Sequence, residues 1–283
     1  MAGGWDTSPN FANATALAST ASTGTTLTSS ATVNTKGAWT QIIASTAADY
    51  DGGLLLCITM LPGSQGSMMC IDLAVAASGN ESNGVVFQNV LLSGALDAYH
   101  FFVPFPVPAG SRIAMRYASG TASDSIGVGI TGFAGGYGRG LGSGIVDTYG
   151  YSGSGSPIGI AVDPGATAET KGAYAQLTAS TTHDLAGFFI GFDIQNHLGG
   201  ATSFGNAFTV DIAIGASGSE KIILPDVRGT HTLFSGGADI NPSFTPIFPI
   251  TIPAGTRIAA RALSSDNTAS DRVVGVSLYG IRE

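Results

Sequence analysis

The phrase PVPAGSRIAMR at residues 106–116 returns, little changed, as IPAGTRIAAR at 252–261. Three further pairs flank it in the same order. TKGAWTQIIAST (35–46) matches TKGAYAQLTAST (170–181), IDLAVAASGNE (71–81) matches VDIAIGASGSE (210–220), and SIGVGITGF (125–133) matches VVGVSLYGI (273–281). The offset grows from 135 to 139, 145 and 148, as small loop insertions in the second member would make it. Ordered self-similarity over more than about 100 residues points to a duplicated domain, not a short-repeat solenoid. The sequence therefore predicts an arm at 1–24, a first copy at 25–135, a linker at 136–156 and a second copy at 157–283.

The linker region, GGYGRGLGSGIVDTYGYSGSGS (135–156), is glycine-rich and reads as a connection without structure of its own. The arm is rich in Ser, Thr and Ala with no period. GGWDT in the arm echoes GIVDT in the linker, which suggests one docking role for both. An arm of this composition holds too little apolar surface to offset the ordering of its backbone. It needs a neighbour's sheet edge or a subunit seam, with Trp5 and Phe11 as anchors.

Within each copy, short runs of Val, Ile, Leu and Phe alternate with Gly, Pro, Asn, Asp and Ser at the spacing of an all-β domain. Strands are expected near 25–30, 38–45, 53–61, 68–76, 84–92, 99–105, 111–118 and 125–134. In the second copy they are expected near 158–162, 173–180, 186–195, 207–215, 220–227, 231–235, 244–251, 256–263 and 273–281. About eight strands per unit with no helical period predict a jelly-roll-like β-sandwich, in tandem.

Pro-Ala-Gly is a turn: proline sets φ and glycine permits a positive one. The strand after it alternates, placing Arg112 and Arg116 opposite Ile113 and Met115, and Arg257 and Arg261 opposite Ile258 and Ala260. Asp72 and Asp211 fall on the small-residue face of the DLAV and DIAI strands. Each copy thus carries one Asp and two Arg on a sheet face otherwise made of Ala and Gly. Two readings stand: a flat docking face for a neighbour, or a cross-strand ion pair on a solvated sheet. Either way Asp72 is expected near Arg112 or Arg116, and Asp211 near Arg257 or Arg261.

Charged residues make up 11% of the chain, against roughly 25% in a typical soluble domain. So few Lys and Glu suggest that other chains cover much of the surface. A net charge of −8 with no basic cluster argues against nucleic acid. No apolar run nears the ~20 residues that span a bilayer, and the start MAGGWDTSPN lacks the pattern of a secretory signal. Cys57 and Cys70 sit in apolar strand-like runs and read as buried free thiols from a reducing compartment; Gly191 and Thr209 stand at their second-copy positions, so no disulfide is expected. No catalytic constellation is found. His100, His183, His197 and His231 are scattered and unrepeated, GYGRGLGSG lacks a strand–helix frame, and acids such as Asp49, Asp51, Asp124, Asp184 and Asp271 read as turn residues. No cofactor or metal is expected; the nearest calcium-like cluster, Asp49–Asp51, is absent from the second copy. Trp5, Trp39, Tyr137, Tyr149 and Tyr151 could stack on sugar, but in so glycine-rich a setting the linker tyrosines suit a groove or seam better.

The paired TKGA, DLAV and Pro-Ala-Gly-x-Arg-Ile phrases resemble those of β-sandwich accessory virion proteins of tailed bacteriophages. That resemblance covers both copies and implies a non-enzymatic structural role: a capsid decoration, head fibre or tail component, made in the host cytoplasm and carried in the virion. It implies self-association and docking on other virion proteins, and carries over no functional residues. The alternatives are a receptor- or glycan-binding module of a fibre, which would bind a host surface glycan, and a double-jelly-roll shell protein. Candidate interface residues are Trp5, Phe11, Asp72, Arg112, Arg116, Tyr149, Tyr151, Asp211, Arg257 and Arg261.

Overall fold

The computed structural model describes residues 15–16, 24–60, 69–92, 99–134, 141–152, 159–194, 206–234, 237–241, 243–266 and 272–283. Trp5, Phe11, Tyr137 and His197 lie outside the described residues. The strands of the first half are β1 (Thr15–Ala16), β2 (Thr25–Thr28), β3 (Thr40–Ile43), β4 (Gly53–Met60), β5 (Met69–Val75), β6 (Val85–Leu92), β7 (Tyr99–Val103), β8 (Ile113–Ser119) and β9 (Ser125–Phe133). Those that follow are β10 (Val146–Tyr149), β11 (Ile160–Val162), β12 (Ala175–Thr178), β13 (Leu185–Ile194), β14 (Asn206–Ile214), β15 (Lys221–Phe234), β16 (Gly237–Asn241), β17 (Ile258–Ser264) and β18 (Val274–Arg282). Among the described residues the one helical element is a 3-10 turn at Glu81–Asn83.

Among the described residues all pairings are antiparallel and form four sheets. Sheet I holds β9 between β4 on one side and the short β1 and β2 on the other, with β7 outside β4. Sheet II runs β3-β8-β5-β6. Counted from β2, sheet I takes strands one, eight, three and six, and sheet II takes two, seven, four and five. This is jelly-roll order, and it explains why the last strand of a unit lies beside the first. Sheets III and IV follow the same order, except that the position outside β13, equivalent to β7, is held only by isolated bridges from the 244–252 segment. β18 lies between β13 and the pair β10 and β11, and sheet IV runs β12-β17-β14-β15 with β16 added at its edge.

The registers match strand by strand. Leu55 pairs with Thr131 as Phe189 pairs with Tyr279, and Cys70 with Leu91 as Thr209 with Arg228. Apolar residues of the inward faces fill each sandwich: Leu54, Leu56, Ile58, Ile71, Leu73, Met115, Val128 and Ile130 in the first, Phe188, Ile190, Phe192, Val210, Ile212, Val276 and Leu278 in the second.

Three expectations are corrected. The connection between the halves is not structureless, since Val146–Tyr149 forms β10 and adds to β18; likewise Thr15–Ala16 of the arm adds to β9. The runs at 220–227 and 231–235 are one strand, β15, which a hairpin with β16 extends. The run at 244–251 makes only isolated bridges, Phe244 to Gly191 and Phe248 to Phe188, with Ile252 bridging Leu185 beyond it; Pro246 and Pro249 within it cannot donate to a ladder.

The repeated turn is held identically in both halves. Gly110 and Gly255 both have φ of +79°, where a side chain is strained. Thr46 accepts from the Ser111 N–H and donates to the Pro108 carbonyl, while the Asp49 carboxylate accepts the Ala109 N–H. Thr181 and Asp184 do the same for Thr256, Pro253 and Ala254.

Candidate docking surfaces

Asp72 lies on the outward face of β5 and Asp211 on that of β14. Each sits where its neighbour strand bulges: two residues, Gln88 and Asn89, oppose Asp72, and two, Pro225 and Asp226, oppose Asp211. Asn89 and Asp226 take the left-handed conformation, φ 58° and 50°, which Asn and Asp tolerate best among non-glycine residues. The freed N–H of each donates to the carboxylate, at 2.7 Å to Asp72 and 2.9 Å to Asp211. Arg116 Nε stands 2.8 Å from Asp72 and Arg261 Nε 2.9 Å from Asp211. Lys36 and Lys171 complete the sets at 2.5 and 2.7 Å. The guanidinium of Arg116 lies over the Trp39 ring at 4.5 Å, and that of Arg261 over Tyr174 at 4.8 Å.

Both carboxylates are buried, Asp72 at 1% exposure and Asp211 at 2%, so the picture of a solvated sheet face is corrected. Lys, Arg and an aromatic ring fold over each Asp and convert the small-residue face into a closed polar layer. Burial pushes the Asp211 carboxyl up, but the Asp226 N–H, Lys171 and Arg261 together outweigh it, and the net shift is downward. Arg112 and Arg257 do not join these sets. They pair with Glu81 (2.8 Å) and Glu220 (3.1 Å), and each also binds a glutamine, Gln41 or Gln176, at the sheet end. The repeated phrases carried this signal: the lysine of TKGA and the glutamate ending IDLAVAASGNE and VDIAIGASGSE recur in both.

A second surface is the seam between the halves. Sheet III buries both faces. Its outward residues Phe189, Tyr279 and Ile281, with Val146 of β10, belong to the first sandwich's core cluster. Tyr279 stacks on Phe189 at 4.7 Å, and its hydroxyl reaches the free edge of β6, accepting from the Leu91 N–H (2.9 Å) and donating to the Asn89 carbonyl (2.8 Å). Phe101 meets Phe87, Phe189 and Phe244 at 5.6, 5.1 and 5.3 Å. Gly191 makes room: a Cβ there would fall 2.7 Å from the Tyr279 ring.

Of the linker tyrosines, Tyr149 packs in the second core. Tyr151 packs on the first, where its hydroxyl is raised to about 12, chiefly by burial and then by nearby Cys70 and Asp72. Both therefore serve seam and core. Asp147 of β10 ties this region to β18 and the 182–184 loop, pairing with Arg282 (2.7 Å) and His183 (2.7 Å). Cys70 is buried and free. Cys57, expected to be buried, is half-exposed on the outward face of β4, because nothing like Tyr279 lies across it; it too is free.

The third surface is a groove of about 470 Å³ on the outward side of sheet IV, lined by Glu169, Ala207, Thr209, Arg228, Thr230 and Leu263, with Phe208 and Gly229 at its floor. The Thr209 hydroxyl is buried there without a hydrogen-bond partner. Among the described residues no group of three or more His, Cys, Asp or Glu could hold a metal ion, and no helix is long and apolar enough to cross a membrane.

No family model and no curated protein matches the chain. Among solved structures it is similar to the N-terminal CBM22-1-CBM22-2 tandem domain from Paenibacillus barcinonensis Xyn10C, with 11% identity, 87% of this chain and 83% of that one covered, and a TM-score of 0.24. It is also similar to a chain of infectious bursal disease virus, Gt strain, with 12% identity, 85% and 63% covered, and a TM-score of 0.22. The VP2 subviral particle of that virus gives 15% identity, 83% and 57% covered, and 0.20. The chain thus spans about three fifths of those viral chains. Scores this low do not establish a shared fold.

Proposed function

We propose that this protein is a non-enzymatic structural component of a tailed-bacteriophage virion, built from two copies of one β-sandwich unit, which docks on other virion proteins and on itself. The observation that carries the proposal is the seam. The outward face of sheet III, which in a lone sandwich would meet solvent, is an apolar docking face laid on the edge of a second sandwich. A unit whose sheet faces bind copies of itself is a part for assembly. The polar groups agree with this role. Asp72, Asp211, Glu81 and Glu220 are consumed by internal pairs that rigidify the sheets, so the repeated charges serve scaffold, not chemistry.

Copy number in purified particles, with co-sedimentation of the protein on particles that lack it, tests the proposal. Stable incorporation at fixed stoichiometry is expected; a chain absent from particles that also fails to bind them would overturn it. The groove on sheet IV favours a second reading, a glycan-binding module of a fibre, because Arg228, Glu169 and the unpaired Thr209 hydroxyl converge there. Glycan-array binding by the isolated protein is its test.

A further inference from the structure

The seam joins two particular surfaces, and each has a counterpart in the other half. The docking face of sheet III consists of Phe189, Tyr279, Ile281 and, from the 244–252 segment, Ile247, all packed on the first sandwich. Register places Leu55, Thr131, Phe133 and Phe102 at the same positions on sheet I. These four are half-buried, Phe102 and Phe133 meet edge to face at 6.3 Å, and no described strand is laid over them.

The receiving surface is the edge of sheet II at Asn89–Leu91 with Cys70 and Ala118 beside it. Its counterparts on sheet IV are Asp226–Arg228, Thr209 and Leu263. Thr209, Arg228 and Leu263 are groove-lining residues. β16 pairs only with Thr230–Phe234, so it stops short of Asp226–Arg228. The chain therefore fills one such contact internally and leaves one donor face and one receiving groove over.

Resting on the assembly reading above, we propose that the sheet I face of one chain docks into the sheet IV groove of the next, repeating between chains the contact that sheets III and II make within one. The occupant of the groove is a second copy of this chain. Two details support this over an unrelated ligand. The groove is the site a docking face already occupies in the first half, and bulk is redistributed in keeping with it. Leu91 becomes Arg228 and Tyr279 becomes Thr131 on the two sides, while Ile247 and Ile281 become Phe102 and Phe133. Such a contact joins unlike surfaces, so it propagates head to tail and closes into a ring or grows into a filament.

The test uses full-length protein and two double variants. One blocks the donor face, Phe102→Ser with Thr131→Glu. The other blocks the groove at exposed positions, Ala207→Arg with Thr230→Arg. Far-ultraviolet circular dichroism and thermal melts establish that both remain folded; if the donor double variant melts early, Thr131→Glu alone replaces it. In sedimentation velocity the wild type is expected to form concentration-dependent oligomers, and each variant to dissociate at least ~10-fold more readily. Mixed one to one, the variants should form dimers that do not grow, since one sound groove and one sound face remain.

Variants that assemble like wild type, or a mixture that yields no dimers, overturn the contact. So does glycan binding abolished by the groove variant in a protein that stays monomeric. A wild-type chain that is monomeric alone yet binds particles overturns this contact and leaves the virion role standing. Head-to-tail oligomers that ignore particles do the reverse.

Discussion

Replacing Tyr279 by Phe removes one oxygen and isolates the polar part of the seam. The ring remains stacked on Phe189, so its apolar and aromatic contribution is retained. What is lost is a hydroxyl that satisfies two backbone groups of β6, the Leu91 N–H and the Asn89 carbonyl. Tyr279 is 0% exposed, so water does not readily take the hydroxyl's place. A buried backbone group left unpaired costs about 1–3 kcal/mol, and relaxation of a sheet edge recovers part of it, so the expected loss is about 2–4 kcal/mol. At roughly 2–4 °C per kcal/mol for chains approaching this size, the melting temperature should drop by on the order of 10 °C. Hydrogen exchange supplies the local readout, because the Leu91 amide should lose protection while amides in the centre of sheet I keep theirs. Tyr174→Phe is the matched control: that ring lies under Arg261 with no hydrogen bond to its hydroxyl among the described residues, and the change should stay within about 0.5 kcal/mol. A Tyr279→Phe protein as stable as wild type, with Leu91 still protected, would show that the seam is held by shape alone.

Three further outcomes follow from the ion pairs and the Pro-Ala-Gly turns. Asp72→Ala strands the Asn89 N–H and, among the described residues, leaves Lys36 with only the Cys70 carbonyl (3.3 Å) in a covered layer, and should cost about 3 kcal/mol by urea denaturation; Asp211→Ala should cost less, because Lys171 keeps the Asp226 carboxylate at 2.8 Å. Gly110→Ala and Gly255→Ala meet no atom within 4 Å, so each should cost only the left-handed backbone penalty, about 1–2 kcal/mol; unequal melting shifts would break the equivalence of the two turns. The carboxyls of Asp147, Asp163 and Asp211 are held below their ordinary value in the folded chain. Their stabilisation is therefore complete above the unfolded carboxylate pKa near ~4 and is lost as pH falls through the lower folded values. Melting temperature should be flat from pH 7 to about 5 and fall below about 4; a fall already complete between 7 and 5 would show that these carboxylates do not govern acid unfolding.

Much of the scaffold was legible because it is local. Alternation along DLAV and RIAMR placed Asp72 and Arg116 on one face, and adjacency of β5 and β8 brings them together. Lys36 and Glu81 were equally repeated, yet their roles depend on which loop lies over which strand, and strand alternation does not specify that. The seam was hidden for a stronger reason. Tyr279 has no like residue in the first half, where Thr131 stands, so comparing the repeats passes over it. Its partner is 188 residues away, and the glycine that admits it, Gly191, reads only as a departure from Cys57.

The dependence of β6 on Tyr279 has a consequence during synthesis. The strands of the first sandwich have all been synthesised once Phe133 is made, but the tyrosine that covers its open edge follows Leu91 by 188 residues. At roughly 5–20 residues per second, translation leaves that edge bare for about 10–40 s, time enough to meet the same edge on a neighbouring nascent chain. The left-handed bulge at Asn89 interrupts the row of backbone donors and acceptors that such a chain would pair with. The residue that gives Asp72 its third hydrogen bond in the finished protein thus also breaks the regular ladder that a sibling chain on the polysome would need to pair with this edge.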